Sequence, residues 1–224
     1  MPMRAVQPIR KSTAMKLSLR GLVKYMTSSP SAQRKVLRDF KYPDPEGSAQ
    51  RDYYKEARES IVKYHKDGHD PRWLEQRGRL LTAQSEVERG PRKVRLRNNS
   101  RAIYAYARFF GHEDFEVLKP PTLSLSFASV RVSVFPDLYV IENNKNTFIK
   151  MNFTAQTATK DEVKIVCQSM FEAAEQAGLG PTSSHILYYD LKTGEKHKGA
   201  RMGALMRRNI EASCQAIAAI WPTL

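Results

Sequence analysis

The chain has 224 residues, 41% hydrophobic and 27% charged, which is enough to bury a core without staples and too apolar for a disordered chain. No run approaches the roughly 18 apolar residues of a membrane span, and its two cysteines, Cys167 and Cys214, show no CxxC spacing, so neither a membrane protein nor a structural zinc site is expected. The formal charge is +14 and sits mostly in one half: 26 Lys or Arg against 14 Asp or Glu from Met1 to Lys119, and 11 against 9 from Pro120 to Leu224. Such an excess favours a polyanionic partner, since each neutralised phosphate releases counterions.

The first residues are basic but lack an apolar stretch, so they do not read as a secretory signal. Their Arg, Lys and Ser content also suits a transit peptide, and the preferred reading is a flexible basic tail over residues 1–16. Leu17, Leu19, Leu22, Val23 and Tyr25 then fall in a short helical segment, broken at Ser28-Ser29-Pro30. Ser31 is placed as the cap of a helix carrying Val36, Leu37 and Phe40, and Lys41 to Gly47 reads as a turn. Tyr53, Ala57, Ile61 and Tyr64 recur at helical spacing within Ala49 to Tyr64. Trp73, Leu74, Leu80 and Leu81 mark a helix over Arg72 to Gln84. Ser85 to Arg97 is polar and reads as a connector, with a further helix from Asn98 or Asn99 to Phe110.

After Pro120-Pro121 the periodicity changes to two. Leu123, Leu125 and Phe127 alternate, then Val130, Val132 and Val134, as a hairpin or one bulged strand. Leu138 to Ile141 and Thr147 to Phe153 are strands joined by an Asn-rich turn. Thr159 to Ala177 is an amphipathic helix whose stripe includes Cys167, ended by Gly178 and Gly180. Ile186 to Leu191 is a strand, expected to complete one mixed sheet running from Thr122. Arg201 to Trp221 is a helix with Met202, Leu205, Met206, Ile210, Cys214, Ile217 and Trp221 inward. The fold class is therefore α+β: a basic helical region over 17–119, then a β-β-β-α-β core with a C-terminal helix over 120–224. Two thiols on apolar helix faces read as buried and reduced, which places the protein in the cytoplasm.

Phe135-Pro136-Asp137-Leu138-Tyr139 puts a Pro-Asp at a strand start, and Phe148-Ile149-Lys150 follows across the turn. Magnesium-dependent phosphodiester cleavage needs converging carboxylates with a lysine beside the attacking water. In residues Pro136, Asp137 and Lys150 and in strand order, the chain from about Glu113 to Leu191 resembles the PD-(D/E)xK (restriction-endonuclease-like) nucleases. The resemblance implies Asp137 and Lys150 as catalytic residues. It departs at Phe148, where the family carries its second acid. Replacement metal ligands are sought in Glu142, with Asp137, and in Glu113, Glu116 or Asp190. Read without the family, Asp137 is a turn-forming Asp, Lys150 an exposed charge and Phe148 a core residue.

A second feature is the basic run Arg92, Lys93, Arg95, Arg97 and Arg101, continued by Tyr104 and Arg108. Such side chains hold phosphates and stack on bases, or simply solvate a helix. Arg207 and Arg208 could extend that surface. The expectation is a nucleic-acid-associated protein, DNA ahead of RNA, with a catalytically impaired nuclease-like core and no magnesium or a weakly bound one. By analogy, mobile-element or antiviral-defence biology would suit it. The alternatives are an active magnesium-dependent nuclease with a migrated carboxylate, and a protein-interaction subunit or toxin-neutralising partner.

Overall fold

A computed structural model of the chain describes residues 15–43, 53–68, 70–199 and 203–224. Outside the described residues lie most of the basic tail, the turn beyond Pro43, the helix start placed at Ala49, and Arg201 and Met202. Among the described residues seven helices and eight strands form a mixed α+β fold.

The centre is a five-stranded sheet in the order β2 (Glu116–Val117), β5 (Leu138–Glu142), β6 (Lys145–Asn152), β7 (Ile186–Asp190), β8 (Glu195–Lys198). β5 and β6 form a hairpin in which Leu138 faces Ile149 and Glu142 faces Lys145. Its turn needs left-handed backbone at both central positions, and Asn143 (φ 51°) and Asn144 (φ 60°) supply it at low cost. β6 and β7 run parallel, connected through α6 (Lys160–Gln176), and β8 returns antiparallel at the edge. Glu195 to Lys198 is polar throughout, so β8 carries no apolar alternation to mark it as a strand.

The expected single sheet from Thr122 to Leu191 is two sheets. β3 (Leu123–Phe127) and β4 (Val130–Val134) do form a hairpin, through Ala128 and Ser129 at positive φ, but they pair with β1 (Met15–Ser18) in a separate three-stranded sheet. Pro136 lies between β4 and β5, where a residue without an N–H cannot extend the ladder. β1 runs parallel to β4, Leu17 beside Val132, so Met15 and Lys16 belong to a strand rather than to a tail. The predicted first helix is thus split, and Ser18 caps α1 (Leu19–Thr27) by accepting the Gly21 N–H at 3.1 Å.

Alternation along the central sheet serves two cores. Leu138, Val140, Ile149, Met151, Leu187 and Tyr189 face α3 (Lys55–Lys66), α4 (Pro71–Val87) and α5 (Gly90–Phe110). Phe148, Ile186 and Tyr188 face a core shared by the three-stranded sheet, α1, α2 (Pro30–Lys41), α6 and α7 (Ala204–Ile220). Elements from both sides of residue 120 therefore build each core. α6 packs against β3 of one sheet and β7 of the other, so Gln168, Ser169 and Glu172 are buried along with its apolar stripe. Its start is a capping box, with the Thr159 hydroxyl on the Glu162 N–H and the Glu162 carboxylate on the Thr159 N–H. Cys167 and Cys214 are buried thiols, as the pattern predicted. Leu205, expected inward, is exposed one residue into α7.

The predicted connector Ser85 to Arg97 is mostly helix. α4 runs on to Val87, and α5 begins at Gly90 with Pro91 in its first turn, where a missing N–H costs nothing. The inward stripe is disguised because small polar residues occupy it. Ser100 donates to the Gly78 carbonyl at 2.8 Å, and its hydroxyl meets Thr82 at 2.8 Å. A Cβ on Gly78 would come within 2.8 Å of the Tyr104 ring, so glycine permits this close helix pair. Asn99 is no cap of its own helix: it accepts the Ala57 N–H at 2.8 Å and donates to the Tyr53 carbonyl at 2.7 Å, fixing the start of α3.

His65 on α3 meets the Tyr106 hydroxyl at 2.6 Å, and burial pushes its pKa down from 6.5 to about 4, against the opposing pull of Asp114 and Glu113. The folded state keeps the imidazole neutral while the unfolded chain takes up a proton near pH 6.5. Stability from this site is full above that pH and declines as pH falls towards about 4. Urea midpoints at about pH 7.5 and about pH 4.5 should therefore differ more in the wild type than in His65→Gln.

Candidate functional site

The β5–β6 register brings Asp137 and Lys150 together. With Leu138 opposite Ile149, Asp137 stands opposite Lys150 at the open end of the hairpin. The Asp137 N–H donates to the Ile149 carbonyl at 2.8 Å, and its Oδ2 accepts the Met151 N–H at 2.9 Å. Lys150 Nζ lies 3.0 Å from Oδ2 and donates to the Phe135 carbonyl at 3.0 Å. Arg58 Nε, from α3, donates to Oδ1 at 3.1 Å. The Asp137 side chain is only 5% exposed, so its charge has to be met by partners, and two cations and an amide meet it.

These residues line a cleft of about 390 Å³ between α1, the start of α3, β6, the loop after it and α6. Three cations line it, Arg20, Arg58 and Lys150, against two carboxylates, Asp137 and Glu162. An aromatic wall stands beside them. Tyr54 stacks on Phe153 with centroids 5.3 Å apart and meets Tyr53 edge-on at 5.0 Å. Tyr54 and Arg58 are one helical turn apart, linked by the Arg58 N–H to the Tyr54 carbonyl at 3.0 Å. Tyr188 is also on the lining, and burial, with Asp190 nearby, pushes its hydroxyl pKa upward, so it stays a neutral phenol. The loop is held by Asn152, which donates to the Gln156 carbonyl at 2.7 Å and accepts from the Thr154 hydroxyl at 2.7 Å.

Magnesium does not fit the residues present. Phe148, at the position of the family's second acid, is 1% exposed and stacks on Tyr139 at 4.7 Å. Glu142, expected to share a metal with Asp137, stands at the opposite end of β5, about 17 Å along the strand. Glu113 pairs with Lys196 at 2.7 Å, and Glu116 is on the edge strand opposite Ile141. Asp190 is buried and accepts the Ala158 and Lys192 N–H groups at 3.0 and 2.8 Å. None of the four lines the cleft. Glu162 does, but its Oε2 accepts the Thr159 N–H at 2.7 Å. Among the described residues no group of three His, Cys, Asp or Glu converges.

The second predicted feature is a helix face rather than a basic loop. Arg97, Arg101, Tyr104 and Arg108 share one outward stripe of α5. Four cations of α5 stand in ion pairs: Arg92 with Glu88 at 3.0 Å, Lys93 and Arg97 both with Glu86 at 3.7 and 2.9 Å, Arg95 with Glu56 at 2.9 Å. Arg97 and then Lys93 hold the Glu86 carboxyl below its usual pKa. Arg101 and Arg108 have no ion pair among the described residues, and Arg108 lies over the Phe109 ring at 5.1 Å. Tyr104 is 37% exposed, with its ring against Gly78. On α7, Arg207 is 3.5 Å from buried Glu172, and Arg208 is exposed.

Nothing in the local pattern marks Arg20, Tyr54, Arg58 and Glu162 as site residues, and it marks Tyr53 only as an apolar helix position. Three separate elements carry them, and only tertiary packing unites them. Comparison with known proteins gives no match to a family model, a curated protein or a solved structure.

Asp137→Ala should lower stability by about 3 kcal/mol in urea unfolding, because it takes from the buried Met151 N–H its acceptor and from Arg58 and Lys150 the carboxylate between them. Phe148→Glu should cost more still by burying an unpaired carboxylate, and should yield a protein that fails to fold rather than one that gains a metal.

Proposed function

We propose that this chain is a nucleic-acid-associated protein whose nuclease-like core binds phosphates and does not cleave them. One observation carries the reading: Asp137 and Lys150, the two motif residues, meet in a cation-lined cleft while the place of the second acid is an aromatic stack in the core. With Asp137 saturated by Arg58, Lys150 and the Met151 N–H, its oxygens orient cations rather than receive one. Arg20 and Lys150 stand with Arg58 on the cleft lining, a set of side chains that suits an anion. The overall charge of +14 and the unpaired Arg101 and Arg108 on α5 support a polyanion of some length, with DNA the first to test.

Purified protein should bind DNA with a steep inverse dependence on salt and should release no cleavage product with magnesium or manganese. Because Arg92, Lys93 and Arg97 are paired to glutamates, Arg101→Glu with Arg108→Glu should weaken binding more than charge reversal at those three, and equally for every sequence. Cleavage that Lys150→Ala abolishes would instead establish an active nuclease, with Glu162 the second carboxylate on the cleft lining.

A further inference from the structure

The cleft differs in kind from the α5 stripe. It is a concavity of about 390 Å³, within the size range of small-molecule sites. One side is cationic and the other aromatic, with Tyr54 and Arg58 a helical turn apart where the two sides join. Phosphate recognition calls for donors held in place before the ligand arrives, and the Asp137 carboxylate holds Arg58 and Lys150 in this way. Base recognition without sequence preference calls for an aromatic surface next to the phosphate site, which the Tyr53–Tyr54–Phe153 wall provides. Arg20, exposed on α1 and without an ion pair among the described residues, faces the same space and completes the cationic side.

We infer that this cleft is a metal-free site for a single unpaired nucleoside phosphate, its phosphate on Arg20, Arg58 and Lys150 and its base against the Tyr54 wall. The inference rests on the nucleic-acid reading above for its choice of anion, and it narrows that reading to one unstacked nucleotide unit rather than a duplex. Two sources share this chemistry: the end of a single strand, and a free nucleotide.

The test is binding to full-length protein by titration, in the presence of a chelator. The ligands are a 5′-phosphorylated single-stranded oligonucleotide, the same strand in a blunt duplex, and a nucleoside monophosphate. In the wild type the single strand should bind more tightly than the duplex, and the monophosphate should compete for it. Arg20→Gln, on an exposed position, should weaken the single strand about tenfold, as should Tyr54→Leu if it folds. Arg101→Gln with Arg108→Gln should leave the monophosphate unchanged. Competition by the monophosphate assigns the site to a strand end when the strand binds more tightly, and to a free nucleotide when it binds no better. Strand binding that ignores both the monophosphate and Arg20→Gln would overturn the inference and leave the nucleic-acid reading standing. No binding of any strand at low salt, with the monophosphate still bound and lost in Arg20→Gln, would overturn the nucleic-acid reading and keep the site. Binding of none of the three ligands would overturn both.

Discussion

A carboxylate buried at the start of a strand has to be met by charge, and the way Asp137 meets that requirement organises the surrounding structure. Its partners come from two places: the neighbouring strand β6, through Lys150 and the Met151 N–H, and α3, through Arg58. The last of these crosses the boundary between the helical layer and the sheet. It fixes the start of α3, and with it Tyr53 and Tyr54, over the open end of β5 and β6. Asn99 acts on the same turn from the other side by binding both the Tyr53 carbonyl and the Ala57 N–H. A chain that spends a buried ion pair and a buried amide on one helix start has rigid walls around its cleft, and rigidity is what a binding site needs to avoid ordering costs.

The two-core arrangement follows from the same sheet. Every second residue of β5, β6 and β7 faces α3 to α5, and the others face α6 and the three-stranded sheet. Asp137 and Lys150 belong to the second set by alternation, which is why they sit on the same face as Phe148 and Tyr188. On that face the hairpin is apolar towards its turn and charged at its open end. Phe148 stacks on Tyr139 deep in the core, while Lys150, two residues on, reaches the cleft. A carboxylate at 148 would interrupt this packing.

Charge on this protein is distributed in two different ways. Along α5 most cations close ion pairs with Glu86, Glu88 and Glu56, which makes that face a solvated lattice of both signs with Arg101 and Arg108 left over. In the cleft, Arg20, Arg58 and Lys150 share a confined volume with Asp137 and Glu162, where solvent screens charge less. A run of basic letters thus overstates the first surface, and isolated basic letters understate the second.

The amino-acid pattern alone determined the α+β class, the β5–β6 hairpin with its Asn-Asn turn, the full extent of α6 between its capping threonine and Gly178, and the burial of both cysteines. It also marked Asp137 and Lys150 as residues to watch. These are local matters: period, turn chemistry and capping act between residues close in sequence. What the pattern misread was set at a distance. β1 looks helical until β4 offers it an edge, and the start of α5 looks like coil until Gly78 and Ser100 let two helices touch through small polar residues. Glu142 looks like a neighbour of Asp137 until the strand separates them along its length. Only the tertiary structure decided that Arg20, Tyr54, Arg58 and Glu162 share one cleft with the motif residues. The reason is physical: an ion pair or an aromatic wall depends on distance in space, and the intervening chain carries no periodic trace of it.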